Sequence, residues 1–372
     1  MKRIFFSAGE SSGDMHGANL IRALRDLDPS IECVGYGGPR MAAAGMELRQ
    51  DLASRGIMGF VEVVRHLGFF KDLYQQTVRE FETDPPDCLV VIDYPGFNMQ
   101  LMKRAHLLGI PVVWYISPQV WAWKRGRIYV IARNADKVLV ILPFEEGIYK
   151  SLGVDCTYVG HPLLDQIAAT EITGVYRGGT VIGLLPGSRR QEIERIFGVM
   201  LQVARGIRET YPDARFVAPC VDAEREAQIR AMAGDFPLET TVGNTYELLS
   251  GARFCLVASG TATVEAALFG VPMVILYKVA PVTYWLARAL VRVAHIGMVN
   301  ILAGKRIVPE YIQHEATAKR ILPDALELIA DVPRRTQALA DLAALRAALG
   351  GPGASRRAAE LVLQAAMRGA HG

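Results

Sequence analysis

The sequence lacks the residue patterns that mark metal centres, disulfide scaffolds and nucleic-acid-binding proteins. Its five cysteines are scattered, without a C-x-x-C pair, which indicates reduced, buried thiols in a cytosolic protein. Its seven histidines form no H-E-x-x-H or other metal-ligand spacing. The 41 basic and 38 acidic residues nearly balance, whereas nucleic-acid-binding proteins usually carry a strong basic excess. We therefore expect no metal, no cofactor and no nucleic-acid partner.

Long uncharged apolar runs are also absent from the sequence. A membrane-spanning helix needs about 20 predominantly apolar residues. The nearest candidate, Val279 to Leu302, is interrupted by Arg288, Arg292 and His295. The apolar run that follows Arg3 is too short for a signal peptide. The sequence therefore predicts a cytoplasmic protein without a membrane span.

What the sequence does contain is a series of short apolar runs that alternate with longer helical segments. Several runs are apolar throughout, as expected for strands buried on both faces of a parallel sheet. The clearest strands are Arg3–Ser7, Cys88–Ile92, Val112–Tyr115, Lys137–Leu142, Thr180–Leu185, Ala214–Ala218, Phe254–Ala258 and Pro272–Leu276. Helical segments include Gly17–Asp26, Met99–Leu108 and Gln191–Tyr211. The alternation predicts an α/β protein of two Rossmann-like, doubly wound domains that face each other across a ligand-binding cleft.

The series of strands restarts near residue 180, after a polar segment that contains three glycines between residues 167 and 179. We therefore expect an N-terminal domain over residues 1–172 and a C-terminal domain over residues 173–340. The remaining residues, 341–372, are rich in Ala, Leu and Arg and predict a helical tail that packs back on the N-terminal domain.

Two acidic residues follow strands in the first half of the chain. Glu10 lies in the segment SAGESSGDMHG directly after the first strand, and Asp93 ends the strand Cys88–Ile92. Carboxylates at the carboxyl ends of strands point toward the expected cleft. The alternatives are structural: a tight turn in which Asp14 or a serine caps the next helix, or a helix cap formed by Asp93 or Asn98.

Two strand–turn–helix motifs in the second half predict a diphosphate site. One contains Ser188 and Arg189, and the other runs from Ser259 through Glu265. Unpaired N–H groups and the helix dipole favour an anion at such a turn. Arg189 would balance the charge of a leaving diphosphate, and Glu265 would accept hydrogen bonds from ribose hydroxyls. The alternative is that the hydroxyl side chains only cap helices.

The segment SPQVWAWKRGR places Trp121 and Trp123 before three cations. Aromatic rings and cations in this pattern can stack on a sugar or lipid and pair with phosphate. The alternative is an aromatic anchor in the core with a solvated basic edge.

Taken in order, these motifs resemble the lipid-A-disaccharide synthase family. The resemblance runs from residue 3 to about residue 320 through AGESSGDMHG, DYPGFN, SPQVWAWKRGR, LPFE, GHP, LLPGSRR, SGTATVEAA and MVNIL with PEYIQ. It implies a glycosyltransferase of the GT-B fold in a Gram-negative bacterium. Such an enzyme transfers 2,3-diacylglucosamine from its UDP conjugate to the 6-hydroxyl of 2,3-diacylglucosamine 1-phosphate (lipid X), with inversion, release of UDP and no metal.

The resemblance also implies roles for individual residues. The catalytic residues would be Asp93, Glu10 and Arg189, and the UDP-sugar site would comprise Ser188, Ser259, Gly260, Thr261, Thr263, Glu265, Lys278, Asn300 and Gln313. There is one departure, because many members of the family have an aspartate where Gly96 stands. Asp93 is therefore the first choice as general base and Glu10 the second.

Because lipid X is a membrane amphiphile, the resemblance implies docking at the cytoplasmic face of the inner membrane. The expected membrane and acceptor residues are Phe60, Val63, Val64, Leu67, Phe69, Phe70, Trp121 and Trp123. A second candidate surface is Thr283–Val293, and the alternative for both is a helix packed on the core. Rival functions are another UDP-sugar enzyme of this fold, such as a 2-epimerase, and a non-catalytic UDP-sugar-binding or lipid-binding protein. The sequence leaves acyl-chain specificity and oligomeric state open, a homodimer included.

Overall fold

The computed structural model describes residues 2–54, 67–121, 126–280, 284 and 294–369. Helices and strands are numbered below in chain order over these residues. The chain divides into two compact units, residues 1–165 with 351–372, and residues 166–350. The first boundary thus lies seven residues before the expected one. The expected tail is shared between the units, because its last helix belongs to the first unit while the preceding helix belongs to the second.

The first unit is a parallel sheet of seven strands. Its strands are β1 (Arg3–Ala8), β2 (Glu32–Gly37), β3 (Glu47–Asp51), β4 (Cys88–Ile92), β5 (Val112–Tyr115), β6 (Lys137–Val140) and β7 (Cys156–Tyr158). Its helices are α1 (Ser11–Leu27), α2 (Pro39–Ala43), α3 (Leu67–Thr83), α4 (Pro95–Leu107), α5 (Gly126–Asn134), α6 (Pro143–Lys150) and α7 (Pro162–Ala169), of which α7 continues into the second unit, and α15 (Ala354–Gly369). The strand order is β3-β2-β1-β4-β5-β6-β7.

Side chains of each central strand alternate between two buried layers. Phe6 lies in one hydrophobic cluster with residues of α1 and α15, whereas Phe5 lies in the other with residues of α4 and α5. Helices therefore cover both faces of the sheet, which explains why Cys88–Ile92 is apolar throughout. The doubly wound α/β class predicted from the sequence is confirmed.

The second unit is a parallel sheet of six strands. Its strands are β8 (Val181–Leu185), β9 (Arg215–Cys220), β10 (Leu238–Val242), β11 (Phe254–Ala258), β12 (Met273–Tyr277) and β13 (Glu310–Ile312), in the order β10-β9-β8-β11-β12-β13. Its helices are α8 (Arg190–Thr210), α9 (Ala223–Ala233), α10 (Thr245–Gly251), α11 (Thr261–Leu268), α12 (Met298–Ala303), α13 (Ala318–Ile329) and α14 (Pro333–Leu349), with a 3-10 turn at Gln313–Glu315.

Strand order reverses once in each sheet. The reversal lies between β1 and β4 in the first unit, and between β8 and β11 in the second. In open parallel sheets, ligands bind at the carboxyl ends of the strands that flank such a switch point. The fold therefore directs attention to the turns after β1 and β4 and to those after β8 and β11.

Across the part of the chain that the structure describes, no helix is long and apolar enough to cross a membrane. Phe60, Val63, Val64 and Trp123 lie outside the described residues, as does Thr283–Val293 apart from Tyr284.

Candidate functional site

Strained backbone marks the switch point of the first unit. Asp93 and Tyr94, directly after β4, have φ angles of 43° and 46°. Ile116, directly after the neighbouring strand β5, has a φ of 61°. A left-handed conformation is costly for residues with a Cβ, above all for a β-branched one, and such residues cluster at functional sites. The strain therefore singles out the turns that carry Asp93 and Ile116.

A buried amide holds the Asp93 turn in this conformation. The Nδ2 atom of Asn98 donates to the carbonyls of Asp93 at 2.8 Å, of Ile92 at 3.2 Å and of Ser7 at 3.1 Å. Its Oδ1 atom accepts from the Ser7 hydroxyl at 2.6 Å. Asn98 thus fastens the end of β1 to the end of β4, and neither Asp93 nor Asn98 forms the side-chain cap considered from the sequence. This role of Asn98 was not predicted from the sequence. The only sequence feature that indicates it is the position of an amide five residues after Asp93.

The turn after β1 approaches the Asp93 turn closely. A Cβ atom added to Gly9 would lie 2.4 Å from the Tyr94 ring, so only glycine fits there. Glu10 follows at the N-cap of α1, without a side-chain capping bond. Asp14 does not cap its own helix either, because its carboxylate accepts from the backbone N–H groups of Arg40 and Met41 at the start of α2. The two candidate catalytic carboxylates, Glu10 after β1 and Asp93 after β4, therefore flank the switch point.

Replacing Gly9 with alanine should displace the Tyr94 ring and lower kcat by at least about tenfold, since small misplacements of catalytic groups are costly. Gly96→Ala is the matched control. A Cβ at Gly96 meets nothing within 4 Å, so this variant should keep its activity. Steady-state rates and thermal melts of both variants test this; equal activity of the two would contradict the close approach.

Electrostatics distinguish Asp93 from ordinary surface carboxylates. Burial raises the pKa of Asp93 to about 7, and the negative charge of Glu10 adds to the rise. A backbone hydrogen bond at Tyr94 and the positive charge of Arg127, in the first turn of α5, act in the opposite direction. A carboxylate whose pKa lies near neutrality is suited to general base catalysis.

A third acidic residue of the first unit was not singled out from the sequence as a site residue. Glu145 lies in the first turn of α6 and its side chain is almost fully buried. Burial raises its pKa to about 8, the hydrogen bond from Trp121 opposes the rise, and the Asp93 charge adds to it. Its only sequence signal is its place in the LPFE segment that follows β6.

Three described members of the expected acceptor surface, Phe69, Phe70 and Trp121, contact other side chains of the first unit. Phe69 and Phe70 contact the cluster beneath α3, and the Phe70 ring centroid lies 5.6 Å from that of Phe97 and 6.4 Å from that of Tyr94. Trp121 packs edge-on against Phe144 at 5.1 Å and donates to Glu145. The packing of Phe69 and Phe70 favours the core-packing alternative, and the Phe70 ring lies next to the Asp93 turn. Leu67 begins α3.

At the switch point of the second unit, the turn after β8 presents Arg189. Gly187 has a φ of 105°, and Arg189 is the N-cap of α8. The Arg189 side chain is 68% exposed and contacts only one described carboxylate, Glu192, at 3.2 Å. Ser188 lies beside it at the same turn. The Arg189 guanidinium is therefore available to an anionic ligand.

The turn after β11 has the expected strand–turn–helix geometry. Gly260 is the N-cap of α11, with extended backbone and no side-chain cap, and Thr261 begins the helix. The Ser259 hydroxyl lies 3.5 Å from the carbonyl of Ile296. The buried Thr263 hydroxyl instead donates to the carbonyl of Gly260 at 2.7 Å. Thr263 thus shapes the turn, while the backbone N–H groups at its tip remain suited to phosphate oxygens.

Glu265 lies at a cavity of about 540 Å³ within the second unit. Its carboxylate accepts from the Tyr246 hydroxyl at 3.1 Å, and burial raises its pKa. Tyr176 and Asn244 also line the cavity, which is in the size range of small-molecule sites. Tyr246 was not identified from the sequence, because nothing in the pattern placed it against Glu265.

A second cavity of about 550 Å³ brings Lys278 and Gln313 together with Arg195 and Tyr284. The Gln313 amide exchanges two hydrogen bonds with the backbone of Val279, at 2.8 and 3.0 Å, which fixes the chain after β12.

Asn300 is buried apart from this cavity. Its amide accepts from the backbone N–H groups of Ile307 and Val308 and donates to the Val308 carbonyl and to Glu310. These hydrogen bonds are all made within the protein, and the expected place of Asn300 in the donor site stays a prediction.

Comparisons with known proteins cover both units. The model of the lipid-A-disaccharide synthetase family matches residues 4–365. Lipid-A-disaccharide synthase of Geobacter metallireducens is 42% identical over 372 residues, which cover 98% of this chain and 97% of that protein.

Two solved structures resemble the chain in fold. The glycotransferase of kitacinnamycin superposes with a TM-score of 0.68 at 18% identity and 98% coverage of each chain. UDP-GlcNAc 2-epimerase from Neisseria meningitidis superposes with a TM-score of 0.62 at 14% identity, covering 98% of this chain and 100% of that one. At these identities the structures show the fold alone, and they confirm the GT-B class. The family match over residues 4–365, with 42% identity to a relative of nearly equal length, shows that the chain belongs to the lipid-A-disaccharide synthetase family.

Proposed function

We propose that this protein transfers 2,3-diacylglucosamine from its UDP conjugate to the 6-hydroxyl of lipid X, giving the β-1′,6-linked disaccharide 1-phosphate and UDP. One observation carries the proposal: the family match spans both sheets and every switch-point turn, including Glu10, Asp93, Arg189 and Ser259–Glu265. The strained Asp93 turn and the exposed Arg189 support catalysis, because strained backbone clusters at active sites and an exposed cation can stabilise a leaving diphosphate.

Asp93 is the proposed general base. An α-linked donor that gives a β product requires one in-line displacement, in which a carboxylate takes the proton of the attacking hydroxyl. With its pKa raised to about 7, Asp93 is a stronger base than an ordinary aspartate and is still largely ionised above neutrality. Glu10 contributes through its charge, and Asn98 holds the Asp93 turn in place.

The second unit binds the donor in this proposal. The diphosphate lies at the turn formed by Ser259, Gly260 and Thr261, where helix α11 begins. Arg189 and Ser188, across the switch point, stabilise the departing UDP. Glu265 accepts from the ribose hydroxyls, and the cavity beside Tyr246 holds the base.

The cavity at Lys278 and Gln313 holds the donor sugar in this proposal. It lies beside β12, whose neighbour in the sheet is β11, so it adjoins the diphosphate turn. Asn300 acts indirectly, because its hydrogen bonds shape the segment between α12 and β13.

The acceptor is a membrane lipid, so we propose that the protein works as a peripheral protein at the cytoplasmic face of the inner membrane. Phe70 supports an acceptor site in the first unit, because its ring lies next to Tyr94 and therefore close to the proposed base. A homodimer is compatible with this proposal, which does not depend on it.

A single-turnover assay with UDP-2,3-diacylglucosamine and lipid X in EDTA tests the proposed function. We expect equal amounts of disaccharide 1-phosphate and UDP from the wild-type protein. Binding of the donor without disaccharide would favour the binding-protein alternative. Conversion of a UDP-sugar to its 2-epimer in the absence of lipid X would favour the epimerase alternative, whose fold is the same.

A further inference from the structure

The described residues that follow β5, 116–121, are held at several points. Ile116 is strained, with a φ of 61°, and its backbone N–H donates to the Leu139 carbonyl at 2.9 Å. The Ser117 hydroxyl is hydrogen-bonded to the Tyr149 hydroxyl at 2.5 Å. Trp121 donates its indole N–H to Oε1 of Glu145 at 3.0 Å. Strain that is held this firmly indicates that the conformation of residues 116–121 matters for function.

Glu145 is an unusual anchor for Trp121, because a carboxylate is expensive to bury. Its side chain is 1% exposed, and its Oε2 atom is buried without a hydrogen-bond partner among the described residues. The groups that face it are the Trp121 indole, the backbone at Leu142, Asp93, Tyr149 and Cys156. None of these described groups is a cation, so none of them would compensate a negative charge on Glu145. Burial accordingly raises the pKa of Glu145 to about 8.

Sheet topology connects this anchor to Asp93. Strands β4, β5 and β6 are neighbours in the sheet, with Asp93 after β4 and Glu145 after β6. The connection from β5 leads to α5, whose first turn carries Arg127. The Arg127 charge favours the ionised form of Asp93. Asp93 and Glu145 also interact through their charges, so ionisation of Glu145 would alter the charge environment of the proposed base.

We propose that Glu145 is a positioning residue for the transfer reaction and works as a neutral carboxylic acid: it holds Trp121 in the segment after β5, and it keeps a second negative charge away from Asp93. The catalytic consequence rests on the proposed function. The protonation of Glu145 and its hydrogen bond to Trp121 do not depend on the proposed function, so they are tested separately.

The inference predicts how pH affects the reaction. Asp93 must lose its proton, so the rate rises through a pH of about 7. Glu145 must keep its proton, so the rate falls again above a pH of about 8, when a second buried negative charge appears near Asp93. Glutamine preserves a neutral acceptor for the Trp121 N–H and cannot ionise. Glu145→Gln should therefore retain the acidic limb of the profile and lose the alkaline limb.

The test compares Glu145→Gln, Glu145→Ala and Trp121→Phe with the control variant Glu146→Gln. In the wild-type protein the neighbouring Glu146 carboxylate is 31% exposed and pairs with Lys150. We expect Glu145→Gln to stay within about threefold of wild type at pH 7, and Glu145→Ala and Trp121→Phe to lose about 30-fold or more in kcat with little change in donor KM. Glu146→Gln should match wild type in rate and in pH profile. Rescue by glutamine but not by alanine is the signature of a neutral positioning acid.

Tryptophan fluorescence supplies a readout that does not depend on transfer. Wild-type emission should change with a midpoint near pH 8, and Glu145→Gln and Trp121→Phe should both abolish the transition. The inference is overturned if the transition survives in Glu145→Gln, if Glu145→Ala is as active as wild type, or if Glu145→Gln is as impaired as Glu145→Ala. If the wild-type protein makes no disaccharide, the proposed function fails, and fluorescence alone then decides the protonation state of Glu145 and its tie to Trp121.

Discussion

Replacing Asp93 with asparagine should lower kcat by at least 100-fold, a change of about 2.7 kcal/mol in the barrier. Asparagine has a similar shape but cannot accept the proton of the attacking hydroxyl, so the loss should fall on kcat and leave donor binding almost unchanged. Single-turnover rates with both substrates measure the effect. Asp87→Asn is a suitable control, because Asp87 precedes the opposite end of the same strand and accepts from the backbone N–H of Arg3.

The same variant should be more stable than wild type at neutral pH. The folded-state pKa of Asp93 lies above its unfolded value, so the native protein binds more protons between pH 4 and 7. The contribution of Asp93 to the free energy of unfolding therefore declines as pH rises through that window. Asparagine does not titrate, so the variant lacks this decline. We expect Tm at pH 7.5 to rise by roughly 2–4 °C, corresponding to about 1 kcal/mol. At pH 3.5 the difference should disappear.

A variant of Glu10 tests the assignment of Asp93 as the general base. Because the Glu10 charge raises the pKa of Asp93, Glu10→Gln should shift the acidic limb of the rate profile to lower pH and leave the enzyme active. If Glu10→Gln is inactive while Asp93→Asn retains its rate, Glu10 is the base and Asp93 is not.

Replacing Arg189 with alanine should lower kcat by about 10²–10³-fold, the usual cost of removing one group that stabilises developing charge. The loss should not reflect unfolding, because the side chain is 68% exposed and its contact with Glu192 is a surface ion pair. Rapid-quench measurement of UDP release, with a thermal melt of the same sample, separates the two effects.

Arg190→Ala is the matched control for that prediction. Arg190 is 71% exposed, pairs with Glu194 at 2.9 Å and carries the same charge one residue later. It should lose less than about threefold in kcat, because it lies within α8 and not at the turn after β8. Equal losses in the two variants would mean that only the general charge of this region matters, and the role of Arg189 at the leaving group would be wrong.

The sequence predicted the interior of each sheet well and its margins poorly. The eight expected strands are all present, and each is flanked by strands on both sides. Four of the five others, β3, β7, β10 and β13, are edge strands, and the fifth is β2. Edge strands are short or polar because one side of each is not covered by a neighbour, so they lack the continuous apolar pattern. β2 also lacks a continuous apolar pattern, because glycines interrupt it.

The family, the α/β class and the candidate turns could be read from residues that are consecutive in the chain. Glu10, Asp93, Arg189 and the Ser259–Glu265 turn each follow an apolar strand, and that local order is visible in one dimension. The motifs are specific because several of them occur together, in one order and at defined spacings, along a single chain.

Only the tertiary structure decided which of these turns meet and what their side chains contact. Strand order places the turns after β1 and β4 together at one switch point, and those after β8 and β11 at another. The raised pKa of Asp93, the tie between Trp121 and Glu145, and the occupied amide of Asn300 all depend on neighbours that are not adjacent in the chain. Burial and hydrogen-bond partners are properties of the packed protein, so no local pattern of residues could contain them.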